Sequence, residues 1–194
     1  MPFFYSIDKA VFIFLNCSLD NPVFDVVMPF VTEANHWRIP LFLAWLSLMI
    51  FGGKKGRIVG LLAIVIVTLS DQLSSAVIKP MVDRVRPCFV LDTFRLLIDQ
   101  PPSPSFPSSH AANNAAMATL FSVKYRRYTW IFVSIAVLVG YSRIYVGVHY
   151  PSDVIGGALV GMLCAGVVLG MERAVRSVGD RRRESSAGPT ENEK

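Results

Sequence analysis

The residues that could do chemistry fall in three short stretches. "KPMVDRVRP" carries Lys79 and Arg86, "PSSHAANN" opens on Ser108, Ser109 and His110, and "SRIYVGVHYPSD" carries Arg143, His149 and Asp153. Three cations in one cleft repel each other unless an anion sits among them. Arginine's planar fork matches phosphate oxygens, and lysine adds a point charge. Two helix starts belong to the same set. Ser108 or Ser109 is the expected N-cap after Pro107, and Pro151 suits the first position of the last helix. Free backbone N–H groups at both starts would favour an anion as well. Contact with lipid headgroups would explain any one of these cations, but explains all three beside two helix starts poorly.

The histidines add reactivity. His149 and Asp153 are four apart. Asp153 falls in the first turn of the helix begun at Pro151 and could reach back to one ring nitrogen of His149. Such a bond would fix the tautomer and leave the other nitrogen as an attacking lone pair. His110, from a different segment, could protonate a leaving oxygen. Zinc is the competing reading. It would want a third protein ligand and an open position, the remaining histidine is His36, and the adjacent arginines disfavour a dication. No metal and no other cofactor is expected.

The elements that carry these residues are apolar. Among the 194 residues, 53% are hydrophobic, and charge is absent from "IVGLLAIVIVTLS", "YTWIFVSIAVLVGYS" and "VIGGALVGMLCAGVVLGM". Runs of this kind read as membrane spans. Five are placed, at 37–51, 57–78, 108–123, 128–146 and 151–171; the first and third are short for a bilayer. Before them, Phe4, Ile7, Val11, Phe14 and Leu15 recur at helical spacing among polar residues, which suits a helix lying in the interface. With "NPVFDVVMPF" it could instead form a re-entrant pair or a sixth, broken span. The expectation is an all-α polytopic membrane bundle of five to six transmembrane helices plus N-terminal interfacial helices. Residues 1–35 are interfacial or partly inserted, 37–171 are the bundle, the domain closes at 175, and 176–194 are a polar cytoplasmic tail.

Charge sets the orientation. Eleven lysines and arginines gather in "GGKKGR", in "KYRRY" and between Met171 and Glu184. With five spans these regions share one side, the cytoplasm. The net charge of +5 therefore points to membrane lipids and not to nucleic acid. The start "MPFFYSIDKA" lacks the basic region of a secretory leader. Cys17, Cys88 and Cys164 are scattered and suggest neither a disulfide framework nor a zinc site. In the long outer loop, "VLDTFRLLI" is expected to form a short surface helix, and "QPPSPSFP" forbids helix until Pro107. Gly157-x-x-x-Gly161 and Gly166-x-x-x-Gly170 permit close helix contact, within the bundle or, less favoured, at a dimer face.

The spacing of the three stretches resembles the type 2 phosphatidic acid phosphatase superfamily. Lys79, six residues, then Arg86-Pro87 is similar to its first signature. "PSSH" resembles its second, usually Pro-Ser-Gly-His. Ser142-Arg143, five residues, His149, three residues, Asp153 matches its third. The resemblance implies a metal-independent phosphoric ester or anhydride hydrolase. His149 would form a phosphohistidine, Asp153 would orient it, and His110 would protonate the leaving group. Lys79, Arg86, Arg143 and the Ser108–Ser109 region would hold the phosphoryl oxygens. Ser109 stands where the family has glycine, which matters only if that position needs positive φ. By resemblance the substrate is a lipid phosphate, foremost undecaprenyl diphosphate, at the periplasmic or outer face of a bacterial inner membrane. Phosphatidylglycerol phosphate, phosphatidic acid and lipid A 1-phosphate are alternatives. A lipid-phosphate binder or transporter without hydrolysis is the alternative of a different class.

Overall fold

In the computed structural model, which describes residues 2–186 and the side chains of 3–181, the described regular elements are all helical. They run α1 Pro2–Ile13, α2 Pro22–Thr32, α3 Ala34–Phe51, α4 Gly53–Gln72, α5 Lys79–Val82, α6 Pro87–Val90, α7 Ser109–Lys124, α8 Thr129–Tyr145 and α9 Pro151–Ser186. A π-helical segment, Phe14–Ser18, prolongs α1, and another, Leu73–Ile78, carries α4 into α5. Among the described residues, three helical stretches are long and apolar enough to cross a membrane: Gly53–Val90, Arg126–Tyr145 and Pro151–Arg181. The N-terminal pair, Phe3–Ser18 and Pro22–Thr32, bends by 116° and passes the same test only as one broken unit. The fold is an all-helical membrane bundle. Helix α9 continues through Ser186 and so crosses the expected boundary at 176; residues 187–194 of the expected tail lie outside the described residues.

Helix α7 is central and packs on α9, α8 and α4. Its alanines make this possible. Ala111, Ala112, Ala115, Ala116 and Ala118 are buried, and small side chains let backbones approach. Helix α9 answers with glycine. A Cβ at Gly157 would run into the Ser108 carbonyl, and one at Gly161 into the Ala112 carbonyl. Gly166 and Gly170 differ: nothing lies within 4 Å of a Cβ built there. The first glycine pair thus serves the bundle as expected, and the second does not.

At one end of the bundle the basic regions meet. Lys55 stands 4.6 Å over the Tyr125 ring, Lys124 pairs with Glu172, and Arg176 reaches Glu172 at 2.6 Å. At the other end the long loop is pinned, but not as a surface helix. After α6 it is irregular to residue 108. Leu91 and Phe94 join Phe12, Ile144 and Tyr150, while Leu96, Leu97 and Ile98 pack on Met28, Tyr145, Val146 and Val148. An irregular path distributes these apolar side chains between two clusters, which one helical face could not. Its backbone polar groups still find partners. Leu97 N–H bonds to the Val146 carbonyl (3.2 Å). Asn16, fully buried, accepts from Arg95 N–H (2.7 Å) and donates to the carbonyls of Arg95 (2.9 Å) and Tyr145 (2.7 Å). Gly147, at φ 91°, admits the Arg95 carbonyl where a side chain would collide with it.

Candidate active site

Each of the three stretches is shaped by a local stop signal. Helix α5 ends at Asp83, whose left-handed conformation (φ 44°) turns the chain while its N–H bonds back to the Lys79 carbonyl at 2.9 Å. Aspartate is among the few residues that tolerate this conformation. The turned segment lies along the proline-rich loop, with Ser105 N–H bonded to the Arg84 carbonyl at 2.8 Å. Helix α7 starts after Pro107 with Ser108 as N-cap, its hydroxyl accepting from Ala111 N–H. Asp83 is the one non-glycine residue with positive φ among the described residues. Ser109 is therefore an unstrained first-turn residue, and its hydroxyl lies 2.9 Å from that of Ser75. Helix α8 ends at Tyr145, and residues 146–150 form the tight link to α9 that carries His149.

The cations converge as expected. Lys79, Arg86 and Arg143 are 6%, 2% and 5% exposed, so they are core residues and not headgroup anchors. Lys79 Nζ donates to the Pro104 carbonyl (2.9 Å). Arg86 donates from Nε to the Ser103 carbonyl (2.7 Å) and from Nη1 to the Val148 carbonyl (2.8 Å). Arg143 donates from Nη1 to Thr32 Oγ1 (2.5 Å). Among the described residues no carboxylate pairs with any of the three at salt-bridge distance. Neutral oxygens fix the geometry but leave the charge uncancelled, which is costly in a buried place. Arg143 Nε is also buried without a hydrogen-bond partner. Buried cations left uncancelled favour a negative counter-charge among them.

His149, 2% exposed, sits at its edge. Arg86 Nη1 lies 3.1 Å from Nε2. A guanidinium only donates, so Nε2 presents its lone pair there and the ring proton belongs on Nδ1. Nδ1 faces Asp153 Oδ2 at 3.6 Å. That is an electrostatic pairing, longer than a hydrogen bond, and not the closed bond expected from the spacing. The reason is competition, since the same Oδ2 already accepts from the Ser105 hydroxyl and from Tyr150 N–H (2.8 Å). Burial pushes the His149 ring down to about 3; Asp153 opposes this, and Arg143 and Arg86 add to it. The ring is neutral at ordinary pH. His110 comes from the first turn of α7, and Arg143, Lys79 and Arg86 are its electrostatic neighbours.

One expectation fails. The start of α9 is not free for a ligand. Asp8 of α1 accepts from Ser152 N–H (2.9 Å) and from the Ser152 hydroxyl (2.5 Å), capping the helix from another part of the chain. The start of α7 remains the helix terminus within the site.

Several further groups belong to the site without standing out in the sequence. Arg84, inside the quoted "KPMVDRVRP", holds Asp153 Oδ1 at 2.6 Å. Ser103 and Ser105 of the proline-rich loop touch Arg86 and Asp153. A second arginine so near the first was a usable signal for Arg84, as was the lone acid of a largely apolar helix for Asp8. Thr32 carried no signal.

Comparison with known proteins bears on this constellation. A profile of the PAP2 superfamily matches residues 60–176, which contain all three stretches. The chain belongs to the PAP2 superfamily. It is 31% identical over 163 residues to the undecaprenyl-diphosphatase BcrC of Bacillus subtilis (strain 168), covering 82% of this chain and 79% of that protein. It is 27% identical over 169 residues to a lipid A 4'-phosphatase of Bacteroides thetaiotaomicron, covering 82% and 74%. Among solved structures it superposes on a transmembrane PAP2 phosphatidylglycerolphosphate phosphatase from Bacillus subtilis with a TM-score of 0.72 and 30% identity, over 90% of this chain and 89% of that one. PAP2 membership and phosphatase relatives make the chain a phosphoric ester hydrolase of the membrane.

Proposed function

We propose that this PAP2 enzyme dephosphorylates a membrane lipid phosphate or diphosphate through a phosphohistidine on His149, with undecaprenyl diphosphate as its substrate. The observation that carries the reading is the placement of a neutral imidazole, Nε2 3.1 Å from Arg86 and Nδ1 3.6 Å from Asp153, beside buried cations that lack carboxylate partners.

The steps follow from that placement. The phosphoryl group enters among Lys79, Arg86 and Arg143, and the first-turn N–H groups of α7 add donors. Arg86 turns from the Nε2 lone pair to the phosphoryl oxygens. Nε2 attacks phosphorus, the bond to the leaving oxygen breaks, and His110, which takes up a proton once the anionic substrate offsets the neighbouring cations, delivers it to that oxygen. The three cations stabilise the charge that builds on the equatorial oxygens. Asp153 balances the positive charge that forms on the His149 ring. Water, deprotonated by His110, then attacks phosphorus and releases inorganic phosphate and the free imidazole. No metal takes part.

The choice of lipid rests on the BcrC relative, whose length the chain covers well. The phosphatidylglycerolphosphate and lipid A relatives keep those headgroups as the alternatives. The basic end of the bundle faces the cytoplasm on the positive-inside rule, which sets the site at the periplasmic or outer face of a bacterial inner membrane. Purified protein with excess EDTA is assayed for phosphate release from undecaprenyl diphosphate, phosphatidylglycerol phosphate, phosphatidic acid and lipid A 1-phosphate. Vanadate-sensitive turnover, fastest on the first, is the expected result. Binding of all four without release of phosphate would favour a transporter and end the reading.

A further inference from the structure

Asp153 stands between two partners. On one side is the His149 ring. On the other is Arg84, whose Nη1 meets Asp153 Oδ1 at 2.6 Å. The second arm of that guanidinium, Nη2, meets Oδ2 of Asp8 on α1, also at 2.6 Å. Nη1 further donates to the Ser152 hydroxyl (2.7 Å), and the guanidinium carbon lies 4.1 Å from the centre of the Tyr150 ring. Asp153 is fully buried and Asp8 is 9% exposed. One cation thus serves two carboxylates from opposite ends of the chain.

Two consequences follow. A carboxylate pinned through Oδ1 cannot turn, so Oδ2 stays aimed at His149, steadied by the Ser105 hydroxyl and Tyr150 N–H. The pull of Asp153 on His149 also depends on how much of its charge Arg84 neutralises, and Asp8 competes for the same guanidinium. We propose that Arg84 is a positioning residue for His149, acting through Asp153, and that Asp8 on the N-terminal helix tunes it by sharing that cation. Its kinetic arm rests on the phosphatase reading above; its spectroscopic arm does not.

The charged and titratable surroundings are these. His149 is faced by Asp153 from α9, Arg143 from α8 and Arg86 from the segment after α5. Arg84 is faced by Asp8 from α1 and by Tyr150, whose hydroxyl is 3.4 Å from that of Tyr5. Lys79 and His110 complete the site. Removing Arg84 leaves the full Asp153 charge on His149 and stabilises its protonated form. Removing the Asp8 charge frees Arg84 for Asp153 and acts the opposite way.

The test is nitrogen NMR of histidine-labelled protein in detergent, with His149 assigned by its absence in His149→Gln. Arg84→Met should raise the His149 titration midpoint by about one unit, roughly a tenfold change in its ionisation constant. Asp8→Asn should leave it at or below the wild-type value, and Arg84→Lys should lie between wild type and Arg84→Met. In turnover, Arg84→Met should lower kcat with little change in KM and move the acid limb of the pH profile upward. An unchanged His149 titration and tautomer in folded Arg84→Met, or upward shifts in both Arg84→Met and Asp8→Asn, would overturn the proposal. If Arg84→Met does not fold, Arg84→Lys and Asp8→Asn still decide, since an upward shift is required of the first and excluded for the second. A wild-type protein that releases no phosphate would refute the phosphatase reading, and the histidine titration would still decide this one.

Discussion

Arg86 Nη1 lies 3.1 Å from His149 Nε2 while donating to the carbonyl of the neighbouring residue, Val148, at 2.8 Å. One guanidinium thereby registers the Nε2 lone pair of His149 to the backbone of the link that carries it. Such preorganisation is the part of catalysis a fold can supply in advance.

Arg86→Lys should therefore behave much like Arg86→Ala. Nε, Nη1 and Nη2 each have a separate acceptor, and an ammonium cannot reproduce that fork. Both variants should lose about 10²–10³-fold in kcat, read as phosphate release under saturating lipid. Recovery to near wild-type turnover in Arg86→Lys would show that charge alone suffices.

The low position of His149 has a stability consequence. A histidine held at about 3 in the fold, against roughly 6.5 when free, stays neutral in the native state and protonates once the chain unfolds. Its contribution is fully present above about pH 6.5 and is lost as pH falls from there toward 3. The wild type should lose thermal stability between about pH 6.5 and 4 more steeply than His149→Gln, which carries no titrating ring. Parallel pH dependences in thermal melts would contradict the assigned environment.

The two glycine pairs of α9 should separate cleanly. Gly161→Leu drives a side chain into the Ala112 carbonyl and should destabilise the bundle by about 1–3 kcal/mol or more. Gly166→Ala meets open space and should be neutral or slightly stabilising, since alanine suits a helix better. Melting in detergent measures both.

Asn16 joins the N-terminal helices to the 91–108 loop and to the end of α8 through one buried amide. Asn16→Leu strands the backbone groups of Arg95 and Tyr145, at about 1–3 kcal/mol for each buried group left unpaired. Proteolysis should open the 91–108 loop in this variant and leave it closed in the wild type.

The sequence disclosed the site better than its supports. Charged residues at fixed spacing beside apolar runs stand out because a membrane penalises them, and Lys79, Arg86, Arg143 and His149 were legible for that reason. Asp8 capping α9 was not, because a carboxylate on an amphipathic helix looks the same whether it faces water or another helix start. The 91–98 segment misled for the reverse cause. Its apolar spacing suits a helix, but two separate clusters and the opening at Gly147 draw the chain into an irregular path. Ser109 could not be judged until its φ was seen to be ordinary.

The most direct measurement is rapid acid-free quenching of the enzyme with labelled lipid phosphate, followed by peptide mass spectrometry, in His110→Ala to slow breakdown of any intermediate. A phosphoryl group on His149, absent from His149→Gln, is the predicted result. Turnover by the wild type with no phosphoryl adduct on His149 in either background would contradict the account.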